Sequence, residues 1–168
     1  IIEKHLPLLG AGKPAITLSL TDEEKAVARE FFLLSSKPTL FACNVAESDL
    51  AEISTSSSSS AAAKHVTAVQ EYARNHFATE AVVISAQIES ELVDLSEAEA
   101  QEYLRDLGVS SSGVSALHRA VYHLLGLRTY LTTGEKETRA WTIHAGDKAP
   151  AAAGVIHSDF ERGFIAAE

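Results

Sequence analysis

The stretch KPTLFACNVAE (residues 37–47) and its echo AVVISAQIE (residues 81–89) decide the fold of this chain. In each, a short apolar run leads directly into small polar residues, as a buried parallel strand does where it delivers a loop to the carboxyl edge of a sheet. Ligands of open α/β sheets bind at that edge. The two stretches therefore predict an α/β fold in which the loops NVAE and SAQIE form the wall of a pocket for a flat heterocycle.

The same loops carry a resemblance to a known family. NVAE stands where P-loop GTPases have the base-reading motif NKxD, and SAQIE stands where they have the SAx loop. With Val45 in place of the lysine and Glu47 in place of the aspartate, the chain resembles the Obg-like ATPases of the YchF group. GEKETRAWTI (134–143) and AAGVIHSDFERGFIAAE (152–168) resemble the start of the TGS domain of that family. The resemblance extends over essentially the whole chain except the serine tract, residues 54–60.

The resemblance implies a fold and a division of the chain. Residues 1–126 would be the C-terminal part of a P-loop, Rossmann-like nucleotide-binding domain, including the end of a helical insertion near residues 1–36. Residues 127–168 would be the N-terminal part of a TGS domain, a β-grasp or ubiquitin-like fold that is truncated here. The resemblance also implies the residues that bind the nucleotide base, which are Asn44, Val45, Glu47, Ser85, Ala86 and Gln87.

The chemistry of the first loop indicates which base it reads. An aspartate in the GTPase motif accepts hydrogen bonds from N1–H and the amino group of guanine, and adenine has neither donor there. Adenine presents an amino donor beside the N7 acceptor, which the amide of Asn44 matches. Val45 would cover the base with an apolar surface, and Glu47 is one methylene too long for the guanine contact. The alternative is that Asn44 only ties neighbouring loops together.

The phosphate-binding and catalytic parts of a nucleotide hydrolase do not occur in this sequence. The string from Gly10 to Lys13 lacks the earlier glycine and the following Ser or Thr of a Walker motif, and Pro14 comes next. We therefore assign no catalytic and no metal-binding residue to the chain, and expect the chain alone to bind nucleotide weakly and to hydrolyse none.

The resemblance implies the function of a longer parent protein. It would be a ribosome-associated protein that binds and hydrolyses ATP in preference to GTP, with Mg²⁺ accompanying ATP. Its partners would be ATP and the ribosome or ribosomal RNA, with no membrane and no DNA, and its location the cytoplasm. The alternative is a non-catalytic adaptor module that binds RNA or protein.

Composition and charge agree with a soluble chain and restrict nucleic-acid binding. The net charge is −9, and no apolar run approaches the roughly 18 residues of a membrane span. Residues 1–126 hold nine Lys and Arg against 17 Asp and Glu, whereas residues 127–168 hold five against six. Because an acidic surface repels nucleic acid, we expect the C-terminal segment, or parts of a longer protein outside this sequence, to make most of any contact with RNA or a ribosome. The single cysteine, Cys43, suits a reducing compartment and predicts a buried structural thiol.

Helical spacing and capping signals predict the remaining elements of the first part. Thr21 with Glu24 is a capping box, predicting a helix that continues through Leu34. Ser96 with Glu99 is a second capping box. Further helices are predicted over residues 1–9, over the stretch from 66 to 77, and after residue 112, and the serine tract is predicted to be a low-complexity loop.

From residue 127 the pattern changes to β. Residues 128–132 and 138–144 predict two strands joined by a turn, residues 149–157 a short helix, and residues 164–167 the start of another strand. This order is that of a β-grasp. His157 and Asp159 fall near the helix end, where we expect them to satisfy backbone groups rather than to act in catalysis.

Overall fold

The computed structural model describes residues 1–54 and 60–166. Residues 55–59, most of the predicted serine loop, lie outside this part. The chain divides into two compact units, Ile1–Ala120 and Val121–Glu168, and each contains its own two-stranded sheet. The architecture is therefore mixed α/β.

The sheet of the first unit is the predicted parallel pair. Strand β1 (Phe41–Asn44) pairs with β2 (Ala81–Ile84), with Phe41 opposite Ala81 and Asn44 opposite Ile84. The connection runs through helices α3 (Glu47–Ser54) and α4 (Ala61–Phe77), as a parallel pair requires. The two loops consequently leave the sheet at the same edge, as the sequence predicted.

Helix α4 covers this sheet. The ring of Phe41 lies edge-on to those of Phe77 and Tyr72, with centroids 5.3 and 6.0 Å apart. Val66 and Ala73 of the same helix are buried, as the predicted helical stripe requires. The other buried apolar side chains of the unit are Ala15, Ile88 and Leu104.

The N-terminal helices are α1 (Ile2–Gly10) and α2 (Asp22–Arg29). The Thr21–Glu24 capping box is confirmed, but the prediction that the helix continues through Leu34 is wrong. Phe32 has a φ of 49°, a left-handed conformation that breaks the helical path just after α2, and residues Leu34–Ser36 form only a 3₁₀ turn.

SAQIE, predicted as a loop, is mostly helical. Helix α5 (Ala86–Leu92) begins within it, directly after Ser85. Helix α6 (Glu97–Asp106) starts at the predicted Ser96–Glu99 capping box, and α7 (Gly113–Leu124) follows the predicted Ser112. Sequence analysis missed α3 and α5 because both are short and begin at the ends of the strand motifs, where the polar residues indicate loops.

The second unit is built on an antiparallel hairpin. Strands β3 (Leu127–Thr133) and β4 (Thr138–His144) pair along their full length, confirming the two predicted strands. The predicted single helix over 149–157 is two helices, α8 (Ala149–Gly154) and α9 (Ser158–Arg162). The predicted strand at 164–167 is wrong over residues 164–166, which have no regular structure, and residue 167 lies outside the described part.

Two local details of this unit follow the sequence. The Tyr130 hydroxyl donates to the Ala152 carbonyl at 2.9 Å and so ties the hairpin to α8. The His157 ring accepts from the Asp159 amide at 3.2 Å at the start of α9, the backbone role that was predicted. Across the described residues, no helix combines the length and the apolar character that a membrane crossing needs.

Candidate functional site

The carboxyl edge of the β1–β2 pair brings the two predicted loops together. The Val45 amide donates to the Ile84 carbonyl at 2.9 Å, which continues the pairing one residue past the end of β1. The first loop is therefore held against the start of the second. Of the six predicted base-binding residues, Asn44, Ala86 and Gln87 are exposed, Val45 and Glu47 are half-buried, and Ser85 is buried.

Asn44 links the loops directly. Its Oδ1 accepts a hydrogen bond from the Ala86 amide at 3.0 Å, across 42 positions of sequence. An amide oxygen has two lone pairs, so one remains, and Nδ2 makes no hydrogen bond within residues 1–54 and 60–166. Asn44 thus does tie the loops, as the alternative from the sequence holds, yet it keeps both N–H donors of Nδ2 and one lone pair of Oδ1 for a ligand.

Ser85 stands beside this link with an unsatisfied hydroxyl. The residue is 1% exposed, and its Oγ has no hydrogen-bond partner among the described residues. It occupies the N-cap position of α5 without making a capping bond. Because a buried hydroxyl without a partner costs about 1–3 kcal/mol, a polar atom supplied from outside the described residues would be favoured here.

Gln87 is directed along its own helix. Its Nε2 lies 3.4 Å from Oε1 of Glu91, one turn later in α5. This contact is exposed and therefore weak, so it would yield readily to a ligand. Among the described residues, the hydrogen bond recorded for the Gln87 side chain is to Glu91 and not to the first loop.

Glu47 and Glu91 both lie close to the hydroxyl of Tyr103, and neither Tyr103 nor Glu91 was selected from the sequence. The Tyr103 hydroxyl of α6 lies 3.5 Å from Oε1 of Glu47 and 2.6 Å from Oε2 of Glu91. The bond to Glu91, with burial and the charge of Glu47, raises the pKa of Tyr103 to about 12. Glu47, Glu91 and Tyr103 lie on three different helices, α3, α5 and α6, and meet only in the folded chain. Their spacing along the sequence follows no motif, so the sequence does not reveal this cluster.

Glu89 forms a hydrogen bond at the start of helix α7. Its Oε1 accepts from the Gly113 amide at 2.6 Å at the start of α7, where a carboxylate also suits the helix dipole. A Cβ on Gly113 would lie 2.9 Å from Cα of Ile84, the last residue of β2. Glycine is therefore required for α7 to approach the sheet this closely. The last residue of SAQIE has a structural partner that its sequence context did not indicate.

The cavities at this edge are separate. A cleft of about 520 Å³ lies against β1 and is lined by Asn44, Val45 and side chains of α3 and α4, including Asp49 and His65. A groove of about 950 Å³ lies between α5, α6 and the start of α7, and Ala86 lines it. Half-burial raises the pKa of the Cys43 thiol, which lines the smaller cleft. Cys43 is therefore less buried than predicted.

Known proteins are similar to this chain along its whole length. A family model described as YchF-GTPase_C, a protein of unknown function (DUF933), matches residues 127–168. The chain is 44% identical, over its whole length, to a protein of Bacillus subtilis (strain 168) named Ribosome-binding ATPase YchF. It is 39% identical over its whole length to the Haemophilus influenzae protein of the same name.

The chain belongs to the YchF family. A solved structure agrees: that of the Schizosaccharomyces pombe YchF GTPase matches 98% of the chain with a TM-score of 0.81 at 29% identity. The chain covers 44% of the Bacillus relative, 43% of the Haemophilus relative and 42% of the Schizosaccharomyces structure. It therefore spans less than half the length of the YchF proteins it matches.

Membership of the YchF family agrees with the resemblance carried by NVAE and SAQIE. The match to curated relatives runs through both motifs, whereas the family model covers only the second unit from residue 127. The names of these relatives describe proteins that bind ribosomes and hydrolyse ATP. The roles of individual residues in this chain rest on the geometry given above.

Proposed function

We propose that this chain is the base-reading part of a ribosome-associated ATPase of the YchF family, which acts in the cytoplasm and prefers ATP to GTP. In this proposal residues 1–126 are the C-terminal part of a P-loop nucleotide-binding domain, with a helical insertion ending near residue 36. Residues 127–168 are the N-terminal part of a TGS domain of β-grasp type.

One observation carries the proposal: the hydrogen bond from the Ala86 amide to Oδ1 of Asn44. It joins the two loops at the carboxyl edge of parallel strands, where α/β proteins bind ligands. It also orients the amide, because an asparagine whose oxygen is held has a defined position for its nitrogen. Asn44 is then ready to face a planar base.

The unused groups of Asn44 match adenine. Nδ2 would donate to N7, and the second lone pair of Oδ1 would accept from the amino group. Guanine has a carbonyl oxygen where adenine has that amino group, so Oδ1 would face an acceptor and be repelled. Val45, half-buried beside Asn44, would cover the base with an apolar side chain, and the unsatisfied Ser85 hydroxyl offers a further polar contact.

The parallel pair supports a larger nucleotide domain. Parallel sheets are normally covered on both faces and contain more than two strands. Within residues 1–54 and 60–166, β1 pairs only with β2, so its other edge is open to a further strand. A longer protein would complete the sheet there and bring the phosphate-binding groups that this sequence lacks.

In this proposal Mg²⁺ accompanies ATP in the longer protein. Nowhere in residues 1–54 and 60–166 do three or more His, Cys, Asp or Glu side chains come together as metal ligands. In nucleotide hydrolases Mg²⁺ is held largely by the phosphates with few protein ligands. The role proposed for the residues of this chain is to bind and orient the base, and that role requires no metal ion.

Ribosome association is proposed from the names of the relatives and from the charge of the chain. The curated relatives are named ribosome-binding ATPases. Residues 127–168 are nearly neutral, whereas residues 1–126 carry a balance of −8. Because ribosomal RNA repels an acidic surface, the second unit is the better candidate for the contact.

A binding competition tests the proposal. ATP and GTP are titrated against a protein of the relatives' full length that contains this chain, as wild type and as Asn44→Asp. Aspartate keeps an acceptor for the Ala86 amide but loses the donor to N7, so we expect ATP affinity to fall about tenfold with the fold intact. GTP binding tenfold tighter than ATP binding by the wild type would contradict the proposal.

The isolated chain supplies a second test. Because base contacts leave the triphosphate charge without partners, the chain alone should bind ATP weakly and hydrolyse none. Sustained turnover by pure chain would refute this part. If the longer protein bound no nucleotide at all, the non-catalytic adaptor would become the better assignment.

A further inference from the structure

Tyr103 contacts side chains of the two helices that begin at the loops of the candidate site. Its hydroxyl lies between the carboxylates of Glu91 and Glu47, at 2.6 and 3.5 Å. Glu47 is the first residue of α3 and belongs to NVAE, whereas Glu91 lies in α5, the helix that begins in SAQIE. The Tyr103 hydroxyl on α6 thus lies near one side chain of α3, which begins at the first loop, and one side chain of α5, which begins at the second.

The hydroxyl has a single proton for two acceptors. The shorter contact to Glu91 takes the larger share of it, and Glu47 receives the remainder through the longer one. Both carboxylates oppose ionisation of the phenol, so its proton is retained across the physiological pH range. Oε1 of Glu47 therefore lies at the outer limit of hydrogen-bond distance from a hydroxyl that stays protonated and donates mainly to Glu91.

This contact matters because guanine needs the whole carboxylate. A carboxylate that reads guanine accepts N1–H with one oxygen and the amino group with the other, so both oxygens must be free and suitably turned. Adenine lacks this pair of donors and therefore makes no such hydrogen bonds to Glu47. A group that engages one oxygen of Glu47 therefore disfavours guanine and leaves adenine binding unchanged.

We propose that Tyr103 is a positioning residue for base selection, which holds Oε1 of Glu47 and so withholds this carboxylate from guanine. The inference rests on the proposed function, since it assumes that NVAE faces the base. It assigns a specificity role to a residue of α6 that lies outside both base-reading motifs. Glu91 modulates this role by competing for the Tyr103 proton.

Two substitutions with opposite expected signs test the inference in a protein of the relatives' full length. Tyr103→Phe keeps the ring and removes the hydroxyl, so Glu47 is released and GTP affinity should rise about three- to tenfold with ATP affinity unchanged. Glu91→Gln removes the competing carboxylate and leaves the phenol proton to Glu47, so GTP affinity should fall. Because the two variants act in opposite directions, general loosening of the site cannot imitate both.

The controls isolate Glu47. In the double variant Tyr103→Phe with Glu47→Gln, the gain in GTP affinity should disappear, because glutamine cannot offer two acceptor oxygens. Tyr72→Phe makes the same chemical change on α4 and should leave the ratio of ATP to GTP affinity as in the wild type. If Tyr103→Phe does not fold, Glu91→Gln and Glu47→Gln still report the coupling.

The outcomes separate this inference from the proposed function. A wild type that prefers ATP, with GTP affinity unaffected by Tyr103→Phe or changed in the same direction by Glu91→Gln, would overturn the role of Tyr103 and leave the proposed function standing. A wild type that binds neither nucleotide would remove the proposed function, and the inference with it. A gain in GTP affinity that persists with Glu47→Gln would also overturn it, because the effect would not pass through Glu47.

Discussion

The strands within the two sheets of the molecule are paired in different ways. Each residue of β1 pairs with the residue 40 positions later in β2, and no turn joins the two strands directly. The hairpin β3–β4 closes through a short turn and pairs over seven residues. The parallel pair depends on distant contacts such as Asn44 with Ala86 and Glu89 with Gly113. The candidate site therefore lies where the chain relies most on tertiary structure, and each prediction below tests that contrast.

The largest effect is expected at Gly113. Gly113→Ala would place a Cβ 2.9 Å from both Cα and Cγ1 of Ile84, and the backbone atom cannot move aside cheaply. We expect a loss of about 1–3 kcal/mol in the free energy of unfolding, measured by urea denaturation. Gly10→Ala is the matched control, since a Cβ there meets nothing within 4 Å. Equal stability of the two variants would show that α7 does not approach β2 this closely.

Amide exchange compares the sheets themselves. We expect the amides of residues 138–143 to exchange about tenfold faster than those of residues 39–43, a difference of about 1.4 kcal/mol. The hairpin has two open edges and mostly exposed side chains, whereas α4 packs on Phe41. Equal protection would contradict the proposed division into a nucleotide domain and a less stable, truncated β-grasp.

Asn44 offers a test of the link between the loops. Asn44→Ala leaves the Ala86 amide without its acceptor and should cost about 1 kcal/mol of unfolding free energy. Asn44→Asp retains an acceptor and should unfold close to the wild type in the same thermal denaturation. A loss of stability as large for aspartate as for alanine would mean that the asparagine nitrogen, not its oxygen, supports the fold.

The smallest effect is expected from Tyr103 at high pH. Its pKa in the folded chain, about 12, lies above the ordinary value of 10, so the folded state retains the proton more strongly. The stabilisation it provides is complete below pH 10 and is lost as pH rises through 12. NMR of ring-labelled tyrosine would follow the titration, and Glu91→Gln should lower the pKa of Tyr103 more than Glu47→Gln does. The reverse order would place the phenol proton on Glu47.

Patterns that repeat within a few residues were read correctly from the sequence. The capping boxes at Thr21 and Ser96, both strands of the parallel pair and both strands of the hairpin occur where predicted. The predicted end of one helix was wrong because a single residue adopts a left-handed backbone conformation. The run of apolar residues after Arg29 has helical spacing, yet Phe32 takes a left-handed conformation and the helix ends. The spacing of apolar residues does not predict that a residue other than glycine will adopt a left-handed conformation.

The sequence by itself determined the mixed α/β architecture, the family and the two motifs that meet at the sheet edge, because strand patterns and motif residues are local properties. Only the tertiary structure decided what those motifs touch. Tyr103 beside Glu47, Gly113 against Ile84, and Ser85 buried without a partner all depend on elements that are distant in sequence. The physical reason is that helix packing sets such distances, and a packing contact depends on the shapes of both surfaces rather than on the spacing of residues along either one.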